Sequence, residues 1–315
     1  MSMSCGQAAS ATGAGVDGAG ALGGLADGEP DAELADKLDR LRRILADEHK
    51  VAVAFSGGVD SSLLLVMAVE MLGDNALAVT ECSKLVPDRE IAAARAFCES
   101  RGIRHILFER DPLGDERVRA NGGDRCYWCK RGMLSAIPGL LEENGFAGAL
   151  VAEGSNLDDM GDMRPGRRAV EELGVASPLL QAGMTKADVR ALARWKGLEV
   201  WDKPSAACLA SRIPCGEGLT AEKLALVDAA ERELLDRGFR QVRVRLGIDH
   251  APDASARPVR TGRIEIPPGD FARFMQGDNP AQVESALRRL GFDFVALDLG
   301  GYRTGKLNRP LLRSD

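Results

Sequence analysis

The sequence predicts an α/β fold, a doubly wound parallel sheet with a smaller C-terminal α+β unit. Three observations carry this. Five apolar residues in a row, 51–55, are bounded by Ser56-Gly57-Gly58, the pattern of a parallel strand buried on both faces. Strand–helix–strand units of similar length then repeat through residue 152, which implies parallel pairing with helices on both faces. Near Trp201 that pattern stops, and short strands with strict two-residue alternation take over. With 315 residues the chain has room for two domains and a sizeable core.

Residues 31–48 place Leu34, Leu38, Leu41 and Leu45 at helical spacing and form an amphipathic helix before the first strand. The apolar run after Ser62 is long enough for a helix, and 76–80 is the second strand. Pro87 and the early acids Asp88 and Glu90 open a helix that runs to about Arg101 and stops at Gly102. Residues 105–108 form the third strand. Another, 149–152, ends in Glu153-Gly154-Ser155-Asn156-Leu157-Asp158-Asp159. Thr185 and Asp188 make a capping box for a helix through Lys196.

The domain boundary is expected near residue 204, giving a tail 1–30, a first domain 31–203 and a second domain 204–315. In the second, 220–237 is a helix that ends at Gly238. Residues 241–247 form a strand with Val242, Val244 and Leu246 on one face and Arg243 and Arg245 on the other. Residues 263–266 alternate likewise, Asn279-Pro280 opens a helix that stops at Gly291, and 292–299 is the last strand.

The turn after the first strand is Ser56-Gly57-Gly58-Val59-Asp60-Ser61-Ser62. Two glycines let backbone approach a ligand closely, and N–H groups that open a helix point at an anion with the dipole behind them. Ser56, Ser61 and Ser62 can donate to phosphate oxygens, and Asp60 is placed to hold Mg²⁺ on the same phosphates. No Gly-Lys-Ser/Thr follows, so this is not a Walker A loop.

Composition narrows the field. The chain is 28% charged and 45% hydrophobic, as in an ordinary soluble protein, and no apolar run approaches bilayer length. A net charge of −6 argues against a broad electrostatic grip on nucleic acid. Residues 1–30 are rich in Gly, Ala and Ser and lack both a basic n-region and a long apolar core. They are expected to be disordered, and the protein cytoplasmic. Seven cysteines, an odd number, suggest metal or catalytic thiols rather than a disulfide framework.

Cys126-Tyr127-Trp128-Cys129-Lys130 is a CxxC pair that suits a redox dithiol, half a zinc site or part of an iron–sulfur site; two thiols without a role are the plain alternative. Cys208 sits in Lys203-Pro204-Ser205-Ala206-Ala207-Cys208-Leu209-Ala210-Ser211-Arg212, where Lys203 and Arg212 favour a thiolate. Together the three thiolates suffice for a 4Fe-4S cluster with one iron open. Arg243 and Arg245 sit two residues apart on one strand face, so both can reach one phosphate, and a solvated face is the equal alternative. Asp158, Asp159 and Arg164 can hold Mg²⁺ or substrate, with capping and surface pairing as the rival account. Lys186 at a helix N-terminus opposes the dipole and hints at a phosphate ligand. Cys82 and Cys98 are read as core.

The Ser56–Ser62 turn resembles the pyrophosphate loop of the PP-loop ATP-pyrophosphatase superfamily, adenine nucleotide alpha hydrolase-like in fold. Its members cleave ATP between the α and β phosphates and adenylate a substrate oxygen. The turn, Arg125-Cys-Tyr-Trp-Cys-Lys130, Glu153-Gly-Ser-Asn-Leu-Asp-Asp159, Arg164-Pro-Gly-Arg167, the Lys203–Pro214 segment and Gly301-Tyr-Arg-Thr-Gly305 occur in that order. From about residue 34 onward the chain is similar to the LarE family of ATP-dependent sulfur transferases. The resemblance implies adenylation of pyridinium-3,5-biscarboxylic acid mononucleotide and replacement of carboxylate oxygen by sulfur. That reaction belongs to biosynthesis of the nickel-pincer nucleotide cofactor of lactate racemase.

The same resemblance gives the roles of the residues. Ser56, Gly57, Gly58, Asp60, Ser61, Ser62 and Lys186 bind ATP with Mg²⁺; Arg212, Arg243 and Arg245 bind nucleotide, the last two its phosphate. Apart from the resemblance, Trp128 has a ring face suited to a pyridinium, with core packing as the commoner alternative. Some family members sacrifice the cysteine equivalent to Cys208 and end with dehydroalanine. Others carry three cysteines and a 4Fe-4S cluster, the type implied by Cys126, Cys129 and Cys208. The implied partners are the small-molecule nucleotide, a sulfide donor, a nickel-insertion protein and further copies of the chain. Cys215 stands where the family has Tyr and leaves a fourth thiolate; Lys306 stands where it has Ser. The rival readings are a tRNA thiolase, an amide synthetase of the NAD or GMP type, and a non-enzymatic iron–sulfur scaffold or nucleotide sensor.

Overall fold

The structure, a computed structural model, describes residues 29–160, 165–249 and 257–303. Apart from Glu29 and Pro30, the expected disordered tail lies outside the described residues, as do Cys5, Arg164, His250 and Lys306. The chain folds as two compact units. One holds the described residues up to Ser83, Asp88–Arg110 and Cys129–Lys203; the other holds Lys84–Pro87, Asp111–Trp128 and the described residues from Pro204 onward.

The chain begins α1 (Ala32–Ala46), β1 (Val51–Ala54), α2 (Val59–Leu72), β2 (Ala76–Cys82), α3 (Asp88–Glu99) and β3 (His105–Glu109). A short α4 (Glu116–Arg119) belongs to the second unit, and α5 (Arg125–Glu143) starts there and continues into the first. Then β4 (Leu150–Ala152), α6 (Pro165–Glu172), α7 (Pro178–Gln181) and α8 (Lys186–Trp195) follow in the first unit. The α8 capping box is formed by Thr185 and Asp188 as the sequence predicts.

The first unit is built on an all-parallel sheet in the order β3-β2-β1-β4. Val51 and Val53 join Ala76 and Ala78 in one apolar layer with Leu38, Leu64 and Leu192. Ala52 joins Leu77, Val79 and Ile106 in the opposite layer, against Leu134, Ile137 and Leu141 of α5. Both faces of β1 are therefore covered, which is why it reads apolar without alternation. Leu63, Leu64, Leu65, Met67 and Ala68 of α2 have no exposed surface, so this helix runs through the core rather than over it.

From β1 the chain moves outward to β2 and β3, then returns to set β4 on the other side of β1. The reversal leaves a crevice at the carboxyl ends of β1 and β4, where open α/β sheets bind ligands. Among the boundaries that differ from the sequence reading, one bears on the site. Helix α2 begins at Val59, so Asp60, Ser61 and Ser62 occupy its first turn instead of the loop before it.

The second unit adds α9 (Ala221–Asp236), β5 (Arg243–Asp249), β6 (Val259–Glu265), α10 (Phe271–Phe274), α11 (Asn279–Leu290) and β7 (Phe294–Leu297). Its sheet has the order β5-β6-β7, antiparallel between β5 and β6 and parallel between β6 and β7. Thr220 caps α9, and Gly291, at φ +113°, ends α11. The arginine face of β5 is not solvated: Arg243 and Arg245 are 7% and 8% exposed. Among the described residues no helix is long and apolar enough to cross a membrane.

Candidate active site

At the end of β1, Gly57 adopts φ +67° and turns the chain, and Gly58 stands extended as the N-cap of α2. No side chain caps that helix. Its first-turn N–H groups are left for an anion, with the helix dipole behind them. Ser56 and Ser61 brace the turn. Ser61 Oγ donates to the Gly58 carbonyl (3.2 Å) and accepts from Ser56 N–H (3.3 Å), and the two hydroxyls lie 3.1 Å apart. Ser62 is fully buried, and its Oγ has no hydrogen-bond partner. Lys203 pins the turn by donating to the Gly57 carbonyl at 2.9 Å, its ammonium paired with Glu90 at 2.8 Å.

The loop after β4 meets this turn backbone to backbone. A Cβ on Gly154 would stand 2.9 Å from Ser61 N and 3.1 Å from the Asp60 carbonyl carbon, so glycine is needed for the approach. Asn156, 2% exposed, donates to Asp60 Oδ1 at 3.0 Å. The Lys186 ammonium bonds to Asp60 Oδ2. Asp158 and Asp159 accept instead from the backbone N–H groups of Lys186 and Asn156, at 2.7 and 3.0 Å. Capping, the rival account of these two acids, is what the structure displays.

Glu153 fixes the root of that loop. It accepts from Lys130 Nζ (2.8 Å), Ser177 Oγ (2.7 Å) and Ser155 N–H (3.0 Å). Burial alone would raise its pKa. The Lys130 ammonium and the bonds from Ser155 and Ser177 outweigh that and hold the carboxyl below its ordinary range.

Cys126 and Cys129 lie three positions apart on the first turns of α5, the former exposed and the latter half-buried. Each sulfur accepts from a guanidinium: Cys126 from Arg125 at 3.2 Å, Cys129 from Arg110 at 3.3 Å. Arg110 is oriented by Glu81 at 2.5 Å. It lies where a side chain at position 132 would be, since a Cβ on Gly132 would come within 2.9 Å of its Nη1. Cys208 is half-buried and precedes a short turn, Leu209–Arg212, while Cys215 is exposed. Among the described residues, no group of three or more His, Cys, Asp and Glu side chains stands together as a metal site.

In the second unit Arg212 is 2% exposed. Its guanidinium bonds to Glu231 at 2.7 and 2.9 Å and to the carbonyls of Ala207 and Cys208 at 2.7 and 3.1 Å. Arg212, expected to bind nucleotide, holds the backbone around Cys208. Arg245 pairs with Glu265, which is fully buried, and donates to the Ser211 carbonyl. Arg243 donates to the carbonyls of Val242 and Ser205 and lies 5.2 Å from the Tyr302 ring centre. Burial, and then the neighbouring Arg212 guanidinium, push the pKa of Arg243 down from its ordinary value. Arg263 also reaches Glu265 at 3.3 Å and Asp298 at 3.6 Å, so Arg212, Arg243, Arg245 and Arg263 face Glu231, Glu265 and Asp298, an excess of positive charge that attracts an anion.

Comparison with known proteins places this geometry. Residues 34–115, which carry the phosphate turn, match the NAD synthase family. Over 280 residues the chain is 37% identical to an uncharacterized protein of Synechocystis sp., covering 89% of this chain and 100% of that one. Over 284 residues it is 38% identical to the pyridinium-3,5-bisthiocarboxylic acid mononucleotide synthase of Lactiplantibacillus plantarum, covering 90% of this chain and 98% of that enzyme. The chain belongs to this synthase family. A shorter stretch, 37% of the chain, is 26% identical over 121 residues to a tRNA-cytidine(32) 2-sulfurtransferase of Bdellovibrio bacteriovorus.

In this member of the synthase family the crevice brings together Ser56, Gly57, Gly58, Asp60, Ser61 and Lys186. Sequence reasoning missed Asn156 as the second partner of Asp60, and Lys203 as a support of the turn. It also missed the Lys130–Glu153 and Arg110–Glu81 pairs. Asn121 is 1% exposed and stands at φ +55°. It donates to the carbonyls of Pro214 and Glu217. The signal for Lys130 and Lys203 was their place beside the CxxC pair and in the Cys208 segment; nothing local signals Asn156.

Proposed function

We propose that this synthase-family member is an ATP-dependent sulfur transferase acting on pyridinium-3,5-biscarboxylic acid mononucleotide, in biosynthesis of the nickel-pincer nucleotide cofactor of lactate racemase. The observation that carries the reading is Asp60 at the mouth of the phosphate turn, held between Asn156 and Lys186. A carboxylate oxygen of the substrate attacks the α phosphorus of ATP, and pyrophosphate leaves. The turn and the α2 dipole take up its charge, Lys186 donates to the phosphates, and Asp60 would hold Mg²⁺, which would supply further neutralising charge. Sulfide then attacks the acyl carbon, and AMP leaves with the original carboxylate oxygen.

Arg243 and Arg245 take the substrate phosphate, supported by the surplus positive charge around them. The Trp128 ring takes a cation, the guanidinium of Arg117 3.8 Å from its centre, and a cationic pyridinium is recognised by the same kind of contact. The sulfur source in this reading is a 4Fe-4S cluster on Cys126, Cys129 and Cys208. The donor chemistry fits: three thiols outside the fully buried core, two of them beside guanidiniums. When bound, the cluster supplies an open iron for sulfide. Work in the cytoplasm as a homo-oligomer, with a sulfide donor and a nickel-insertion protein, completes the proposal.

The test is anaerobic incubation with ATP, Mg²⁺, sulfide and the biscarboxylic nucleotide. AMP, pyrophosphate and a product with oxygen exchanged for sulfur are expected; ATP left intact sinks the proposal. Intact-mass measurement should show Cys208 unchanged after turnover. Dehydroalanine at 208 in iron-loaded, active protein would overturn the cluster reading. A tRNA thiolase draws support from the shorter sulfurtransferase match and predicts retention of bulk tRNA in filter binding, where none is expected here.

A further inference from the structure

The peptide that leads into the phosphate turn, between Phe55 and Ser56, is held on both sides. Its N–H, on Ser56, donates to Ser61 Oγ at 3.3 Å. Its carbonyl, on Phe55, accepts from Thr80 Oγ1 at 2.7 Å. Thr80 lies on β2 and is 5% exposed. A hydroxyl has one proton to give, and here the Phe55 carbonyl takes it.

His105 Nε2, on the next strand β3, stands 2.8 Å from the same Thr80 Oγ1. With the hydroxyl proton already committed, Nε2 must carry a hydrogen and donate it. That places a hydrogen on Nε2. Its other nitrogen, Nδ1, is buried without a hydrogen-bond partner, so a second proton there would have no acceptor, and the ring is neutral. Burial first, and the Arg95 charge second, push the His105 pKa down to about 4. The Phe55 ring meets the His105 ring edge-on, at 5.9 Å between centres. The result is a three-strand relay, from β3 through β2 to the end of β1.

We propose that His105 is a positioning residue of the phosphate turn. By donating to Thr80 it aims that hydroxyl at the Phe55 carbonyl, and so presets the peptide plane from which Ser56 departs. The inference rests on the ATP reading of the turn and goes beyond it by naming what holds the turn ready.

The experiment measures MgATP affinity of the full chain by calorimetry, together with KM for ATP and for the pyridinium nucleotide, and the thermal midpoint. Thr80→Val keeps the β-branched shape and removes the hydroxyl. MgATP binding should weaken about tenfold, the worth of one well-placed hydrogen bond. KM for the pyridinium nucleotide should stay within about twofold, because no contact to it has changed. Thr80→Ser should recover the affinity. His105→Phe should weaken it, and His105→Gln, which can present an N–H near the Nε2 position, should restore it. Should Thr80→Val fail to fold, the two His105 variants decide on the same readout.

A Thr80→Val protein that binds MgATP like the wild type overturns the relay. So does a Thr80→Ser protein no better than Thr80→Val. Wild-type protein that does not bind MgATP overturns the ATP reading itself, a result distinct from either.

Discussion

Asp60 has two partners in the first unit, Asn156 and Lys186, and each is offered by a different part of the β4 side of the crevice. Asp60→Asn keeps the shape and removes the charge that balances Lys186 and that is proposed to hold Mg²⁺. Pyrophosphate release should fall at least about 10²-fold, as when a preorganised charge is taken from a transition state, with the thermal midpoint little changed. An assay of ATP–pyrophosphate exchange reads this directly, and near-normal exchange would remove Asp60 from the mechanism. Lys203→Met tests the support of the turn: KM for ATP should rise about five- to tenfold, since one charge-assisted hydrogen bond is lost. An unchanged KM would make the lysine a surface ion pair only. The residues of the turn were legible in the sequence because glycines, serines and one acid crowd into seven positions. The partners of Asp60 were only half legible. Lys186 stood out by opposing a helix dipole, whereas Asn156 is one asparagine in a polar loop.

At the scale of elements, the close approach of two loops matters most. Gly154→Ala forces a methyl group against Ser61 N and Asp60, backbone that cannot rotate away. Overpacking of this kind costs about 1–3 kcal/mol; a lower thermal midpoint and weaker MgATP binding are expected together. Retention of both would mean that the loops separate freely. The parallel strands were legible, because burial on both faces makes their apolar runs continuous. Helix α5 was not. It contains Pro138 and Gly132, which disfavour helix by the largest margins of any residues. Packing overrides them: Leu134, Ile137 and Leu141 cover the sheet, and Gly132 makes room for Arg110. The arginine face of β5 misled for a related reason. Alternation there does separate two faces, yet both are buried, because Glu265 and backbone carbonyls satisfy Arg245.

For the whole molecule, stability should be sensitive to acid in a defined window. His105 ordinarily titrates near 6.5 and in the fold near 4. As pH falls between those values the unfolded chain binds a proton that the folded chain refuses, so stability is lost through that window. Glu153, held below its ordinary 4.5, adds a further loss as pH falls through its lowered value. Urea midpoints should decline accordingly, with the His105 share on the order of 3 kcal/mol. His105→Gln should flatten the upper part of that decline; an unaltered slope would assign it to other groups. Arg212→Met removes the two-pronged pair to Glu231, 1% exposed, together with the bonds to the Ala207 and Cys208 carbonyls. Breaking a buried pair on one side is expected to cost about 3–5 kcal/mol, readable as an earlier thermal transition.

The path of the chain has a practical consequence. Lys84–Pro87 and Asp111–Trp128 group with the residues from Pro204 onward, while the segments between them belong to the other unit. A chain cut after Lys203 would thus strip neither piece clean: the front fragment would still carry Asn121 without the Pro214 and Glu217 carbonyls that it binds. Complementation from two separately expressed halves is expected to fail unless both are present while the chain folds. Swapping one half for a foreign module would meet the same obstacle.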